Sequence, residues 1–227
     1  MTTLSRRDFV ARVALSSGAL VLPSLFTNAC NGDALIDPTE SASLDLSTDA
    51  GVLNYFYAIS QLQSDFWTRV GLNRYPGITT AEASAFASLG SHATSQRNWL
   101  QSFQTVGRLT DVLTFSFGNS VDFGSRTATM AAGLAIEDSA TQAYAGGVGY
   151  LSDPANIVLA SKLASIAARH SATLRDLNDI AAGGGTRTSF AGDDVVGATG
   201  LELAAKPADV IAVLSKFYKT TITVRSA

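Results

Sequence analysis

Few side chains in this sequence could do chemistry, and those few sit at helical spacings. The chain holds two histidines, His92 and His170, and one cysteine, Cys30. His170 lies in "SIAARHSATLR" (165–175), on one stripe with Leu159, Leu163, Ile166, Leu174 and Leu177. Recurrence at three and four residues places it on the apolar side of a helix. In "SLGSHATSQRNWLQSF" (88–103) the run Phe86, Leu89, Ala93, Gln96, Leu100 and Phe103 points Gln96 inward and leaves His92 on the flank of that face. In "ATMAAGLAIEDSATQAYAGG" (128–147), Glu137 shares a side with Met130, Leu134, Thr141 and Tyr144. A carboxylate and an imidazole turned toward one interior have two chemistries open to them. They can satisfy each other through a charge-assisted hydrogen bond. With a further donor, for which His92 is the candidate, they can hold a metal weakly, since tight sites use three or four protein ligands.

The elements that must position these residues are helices. The first spans about 49–71, with Thr48 or Asp49 as its cap and Val52, Phe56, Ile59, Gln63, Phe66 and Val70 on one face. The second opens at "TTAEA", where Thr79 and Glu82 stand three apart as in a capping box, and Gly107 is its expected stop. Residues 108–124, through "TFSFGNSVDF", read as an extended crossover. A third helix covers about 125–146. A fourth opens at Asp153-Pro154, a cap followed by a first-turn proline, and ends before Gly183. A short helix from Pro207 to Tyr218 and the β-prone "TTITV" follow. Helices of about 20–25 residues are about 30–37 Å long. The expected class is therefore all-α: a four-helix bundle with one long crossover and a short C-terminal helix.

Bulk composition narrows the function. The chain has 227 residues, 46% of them hydrophobic and 15% charged, with a net charge of −3 and no basic stripe, which argues against a nucleic-acid partner. One cysteine excludes an internal disulfide and a cysteine metal cluster. The first 29 residues read as an export address: Ser5-Arg6-Arg7-Asp8-Phe9-Val10 matches the twin-arginine pattern, Val13–Phe26 is an apolar segment too short for a comfortable span, and Thr27-Asn28-Ala29 precedes a cut. Cys30 stands where a lipoprotein carries its acylated cysteine; a plainly cleaved, unanchored protein is the alternative. The expected organisation is a signal peptide over 1–29, a polar tether over 30–47, the bundle over 48–182, and a C-terminal loop with the short helix over 183–227. The expected location is the periplasm or cell envelope, with membrane contact only through the signal or a lipid on Cys30.

Four segments in order carry a family resemblance: "VLNYFYAISQLQSDFW", the "TFSF" crossover, "AIEDSATQAYAGG" and "SIAARHSATLR", with "KPADVIAVLSKF" as a tail. Over about residues 49–217 the chain resembles exported bacterial ferritin-like domain proteins. Ferritin-like di-iron proteins use a Glu from each of two helices and Glu-x-x-His from the other two. Carried onto this chain, the resemblance puts the first-helix Glu position at Ser60 and the second-helix pair at Ala93 and Gln96. It keeps the third-helix Glu as Glu137, and puts the fourth-helix pair at Ala167 and His170. Two of six positions survive. Four crowded carboxylates need divalent cations; one carboxylate and one imidazole do not, and Gln96 and Ser60 can take the leftover donors and acceptors.

Two function classes follow. One is a non-catalytic structural or binding subunit without a cofactor, with a protein partner or a second copy of itself. The other is a metal-binding oxidoreductase or iron-handling protein with an altered site for iron or manganese. Other motifs carry little. "GNSVDFG" lacks the glycine spacing of a nucleophile elbow, and "AGGVGY" ends a helix instead of cradling phosphate. Asp193 and Asp194 read as a solvated loop pair. Tyr55, Tyr57, Phe66 and Trp67 read as packing.

Overall fold

The computed structural model describes residues 41–103, 109, 113–118, 120–181, 191 and 194–225. The signal segment, Cys30, Gly107, Gly183 and Asp193 lie outside the described residues. Four long helices dominate: α1 (Asp49–Leu72), α2 (Thr80–Phe103), α3 (Arg126–Gly147) and α4 (Pro154–Ala181). A short helix α5 (Pro207–Leu214) runs into a 3-10 turn at Ser215–Phe217, so the last helix ends earlier than Tyr218. Two strands, β1 (Ser41–Asp45) and β2 (Thr221–Arg225), pair in parallel. β2 arises from the β-prone "TTITV". Of the tether expected over 30–47, residues 30–40 lie outside the described residues, while 41–46 alternate exposed and buried, with Leu44 and Leu46 in the core, so the folded domain begins before the bundle does.

Local chemistry sets the helix ends. Thr48 Oγ1 accepts from Gly51 N at 3.2 Å and caps α1. The Thr79–Glu82 box closes in both directions: Thr79 N donates to Glu82 Oε2 at 3.0 Å, and Glu82 N donates to Thr79 Oγ1 at 3.2 Å. Glu82 also receives Arg126 Nε at 2.6 Å, while the Arg126 Nη atoms reach Asn178 Oδ1 and Leu177 O, so one end of the bundle is tied across α2, α3 and α4. At the other end, Asp49 accepts from Ser152 N, Ser152 Oγ, Asp153 N and Asn156 Nδ2, which fixes the start of α4 to the start of α1.

Contacts along the helices give their directions. Phe56 meets Tyr144 and Trp67 meets Gly133, so α1 and α3 are antiparallel. Phe86 lies on Trp67 and Thr94 meets Ser64, so α2 is antiparallel to α1 as well. α2 and α3 must then be parallel, and the link between them has to travel the length of the bundle. It does so along α1: Leu109 N donates to Asn54 Oδ1, Leu113 N donates to Gln61 Oε1, and Phe117 packs on Phe66. This is the single-crossover arrangement expected from the sequence.

α1 differs from its expected form. The spacing predicted one apolar face, whereas every residue from Gly51 to Ser64 is buried. The crossover and the C-terminal segment cover the side that α2 and α3 leave open, with Tyr218 Oη donating to Ala58 O and Phe217 packing on Phe117. A helix enclosed all round is the central member of its fold. At the outer ends of the predicted stripes, Phe103 is 49% exposed and Leu177 is only half-buried, as is Ile166 in mid-stripe.

Candidate functional site

The site forms at mid-height, where the interior is polar. α3 carries Glu137 into the centre with no exposed surface. α1 brings two N–H donors one turn apart: Trp67 Nε1 donates to Glu137 Oε1 at 2.6 Å, and Gln63 Nε2 donates to Glu137 Oε2 at 2.7 Å. α4 adds His170, whose Nδ1 lies 3.3 Å from the same Oε2. Tyr144 Oη donates to Gln63 Oε1 at 2.9 Å, which fixes the amide with its nitrogen toward the carboxylate. Burial, together with the nearby Glu137 carboxylate, pushes the Tyr144 phenol well above its ordinary value, so it stays a neutral donor.

α1 and α3 come this close because the residues between them are small. A Cβ at Gly147 would lie 2.4 Å from the Phe56 ring, and one at Gly133 would lie 3.0 Å from Trp67. Glycine at both positions lets the indole and the amide reach across.

From His170 a second chain of contacts leads outward. His170 Nδ1, facing an acceptor carboxylate, is the protonated nitrogen, and Nε2 is left to face His92 Nδ1 at 3.3 Å. The two rings stack at 5.4 Å with 10° between their planes. His92 is exposed and His170 is buried. The order is therefore Glu137, His170, His92, from the core to solvent.

Each expected site residue has a definite place. Glu137 and His170 meet, and His92 meets His170 but not Glu137. Gln96 is inward but touches none of them by hydrogen bond; neither of its polar atoms has a partner among the described residues. Ala93 and Ala167 are buried and supply no donor. Ser60 is a correction. Its hydroxyl donates to Tyr57 O of its own helix at 2.9 Å, and the α1 side chain opposite Glu137 is Gln63, one turn further on. Gln63, not Ser60, takes Glu137's spare acceptor capacity, together with Trp67. The sequence reading put Trp67 in the packing and missed its indole donor; the signal available was the spacing of four between Gln63 and Trp67 on one helix side.

Asp138 and Asp194 belong to a separate network. Arg175, 6% exposed, makes a bidentate pair with Asp138 at 2.8 Å on both oxygens and reaches Asp194 at 2.6 Å, with Ser171 bonded to both Arg175 and Asp138. The loop acid Asp194 thus stays exposed, as expected, but is paired as well, and the guanidinium holds its carboxyl below the ordinary range.

Four long helices, one crossover and a polar mid-section agree with the family comparison: a model described as "Ferritin-like domain" matches residues 48–179. The chain belongs to the ferritin-like domain family. No curated protein matches it. The match runs from the α1 cap to the last turns of α4.

A di-iron centre does not fit the residues of this ferritin-like domain. Of the positions that would hold it, α1 presents an amide, α2 an alanine and an amide, and α4 an alanine before its histidine. The one carboxylate left already receives three N–H groups. Among the described residues, no three His, Cys, Asp or Glu side chains converge as a single ion would require. What the arrangement can do is hold a buried carboxylate without a counter-ion and carry a polar contact from it, through two imidazoles, to the surface.

Proposed function

We propose that this chain is an exported ferritin-like module that works as a metal-free structural or binding subunit in the cell envelope. One observation carries the reading. Trp67, Gln63 and His170 direct N–H groups at Glu137 where cations would stand in a metal-loaded relative. Neutral donors of this kind compensate a buried carboxylate but compete with a metal for the same lone pairs. The site is thus rebuilt for a folded interior and not merely stripped of ligands.

Export rests on the paired Arg6 and Arg7, the apolar segment after them and the small residues before Cys30. Acylation of Cys30 would anchor the mature chain. Among the described residues no helix is long and apolar enough to cross a membrane. The partner expected is a protein or a second copy of the chain, not nucleic acid, given the charge of −3.

Protein purified from its native export route tests the reading by metal analysis. Substoichiometric iron and manganese, with a melting temperature unchanged by chelator, is the expected result. One metal or more per chain would sink it. Replacing Arg6 and Arg7 by lysine should leave the precursor in the cytoplasm, and Cys30→Ser should abolish any incorporation of labelled fatty acid.

A further inference from the structure

We propose that the cleft between α2 and α4 binds a small carboxylate with an apolar body, such as an aliphatic acid of medium length. The cleft encloses about 640 Å³, a volume suited to a ligand of that size. Leu89 and Ile166 give it apolar walls, and His92, His170, Gln96 and Arg169 border it. Among the described residues neither Asp nor Glu lines it, so its charged and titratable groups there are all basic.

Gln96 is the independent sign of a missing partner. The side chain is 7% exposed, lines the cleft, and leaves both Nε2 and Oε1 without a hydrogen bond among the described residues. Native interiors seldom retain an unpaired amide. The other interior glutamine of this region, Gln63, is paired at both ends. Arg169 is exposed at the rim, and His170 Nδ1 is committed to Glu137. An incoming carboxylate would therefore take an N–H from Gln96 once that buried amide turns toward the cleft, under the field of Arg169, while its hydrocarbon covers Leu89 and Ile166.

Two other hollows lack this combination. The groove of about 430 Å³ between α1 and α2 has Arg74 as its one ionisable lining residue and no unpaired buried polar side chain in its lining. The hollow of about 290 Å³ beside Arg175 has two acids in its lining, Asp138 and Glu202, and its Arg175 is already engaged with Asp138.

The proposal rests on the metal-free reading of Glu137 and His170, because a cation on His170 would draw the carboxylate to itself. The test is titration of the full mature chain with octanoate, followed by the ring NMR signals of His92 and His170 and by calorimetry, with octylammonium as the cationic control. Octanoate should shift both rings saturably, and octylammonium should not. Arg169→Ala, at an exposed position, should weaken octanoate about fivefold. Gln96→Leu should weaken it about tenfold while raising the melting temperature of the free protein. Ile166→Trp should block the cleft. Absence of a saturable shift, or equal binding of octylammonium, would overturn the proposal. Metal analysis of the same sample before and after chelation keeps the two readings apart. Stoichiometric metal defeats the metal-free reading whatever the titration shows, and failure of chelated protein to bind octanoate defeats the cleft alone.

Discussion

The two seams on either side of the Glu137–His170 pair are built on different terms. Between α1 and α3, glycines let the backbones approach, and Glu137, Gln63, Trp67 and Tyr144 satisfy one another completely. Between α2 and α4 the helices stand apart over a cleft, a buried amide has no partner among the described residues, and one histidine is open to solvent. Both seams come from the same bundle and meet at the same carboxylate. The difference is that one seam spends its polar groups on holding the fold, whereas the other leaves them available. The two helices that flank the pair therefore differ: α1 turns two neutral donors onto Glu137, and among the described residues α2 turns none.

The comparison can be broken most severely at its centre. Glu137→Gln puts an amide against Gln63 or Trp67 so that an N–H faces an N–H, and removes the acceptor for His170. A loss of about 3 kcal/mol in urea unfolding is expected, with metal content unchanged. If the variant instead strips a bound ion, the closed seam has been misread. Gly147→Ala drives a methyl into the Phe56 ring and should cost about 2 kcal/mol. A neutral result would mean that α1 and α3 can separate cheaply, and the contrast between the seams would fade. Gln96→Leu sharpens the comparison from the open side. Removing an unpaired amide for a similar volume should stabilise the free protein by about 1 kcal/mol, the opposite sign to the closed-seam variants.

The smallest effect lies at the bundle ends and depends on pH. Asn156 first, then the Ser152 and Asp153 donors, hold the Asp49 carboxyl well below its ordinary 3.8 against the opposing effect of burial. For Glu82 burial is the largest influence and pushes upward, but Thr79 and Arg126 outweigh it and leave the group below its ordinary 4.5. A depressed carboxyl contributes stability that is fully present above the unfolded value and is lost as pH falls through the folded one. The domain should therefore lose stability on acidification below about pH 4. Asp49→Asn should flatten that acid limb in thermal melts across pH. An unchanged limb would remove the link between α1 and the α4 start from the list of contributors.

Much of this was legible in the sequence, for local reasons. Thr48, the Thr79–Glu82 box and Pro154 mark helix starts because caps depend on neighbours within four residues. The inward direction of Glu137, His170 and Gln96 follows from helical phase. Phase does not give height. Ser60 and Gln63 share a side of α1, and the stagger between α1 and α3 decides which lies opposite Glu137; that stagger is set by packing at Gly133 and Gly147, far along another helix. Trp67 escaped for a related reason, because its ring reads as bulk until an acceptor is placed beside it. β1 was hidden by distance: its five residues pair with a segment near the other end of the chain, and only the alternation of Ala42, Leu44 and Leu46 hinted at a strand.

That parallel pairing has a mechanical corollary. β1 enters the domain from the N-terminal side and β2 leaves toward the C-terminus, with rungs from Ser41–Thr221 to Asp45–Arg225. In a parallel pair those two chain ends leave from opposite ends of the ladder, so tension applied between them would slide the strands past each other instead of peeling them apart. All the rungs would then have to yield together before the helices felt the pull.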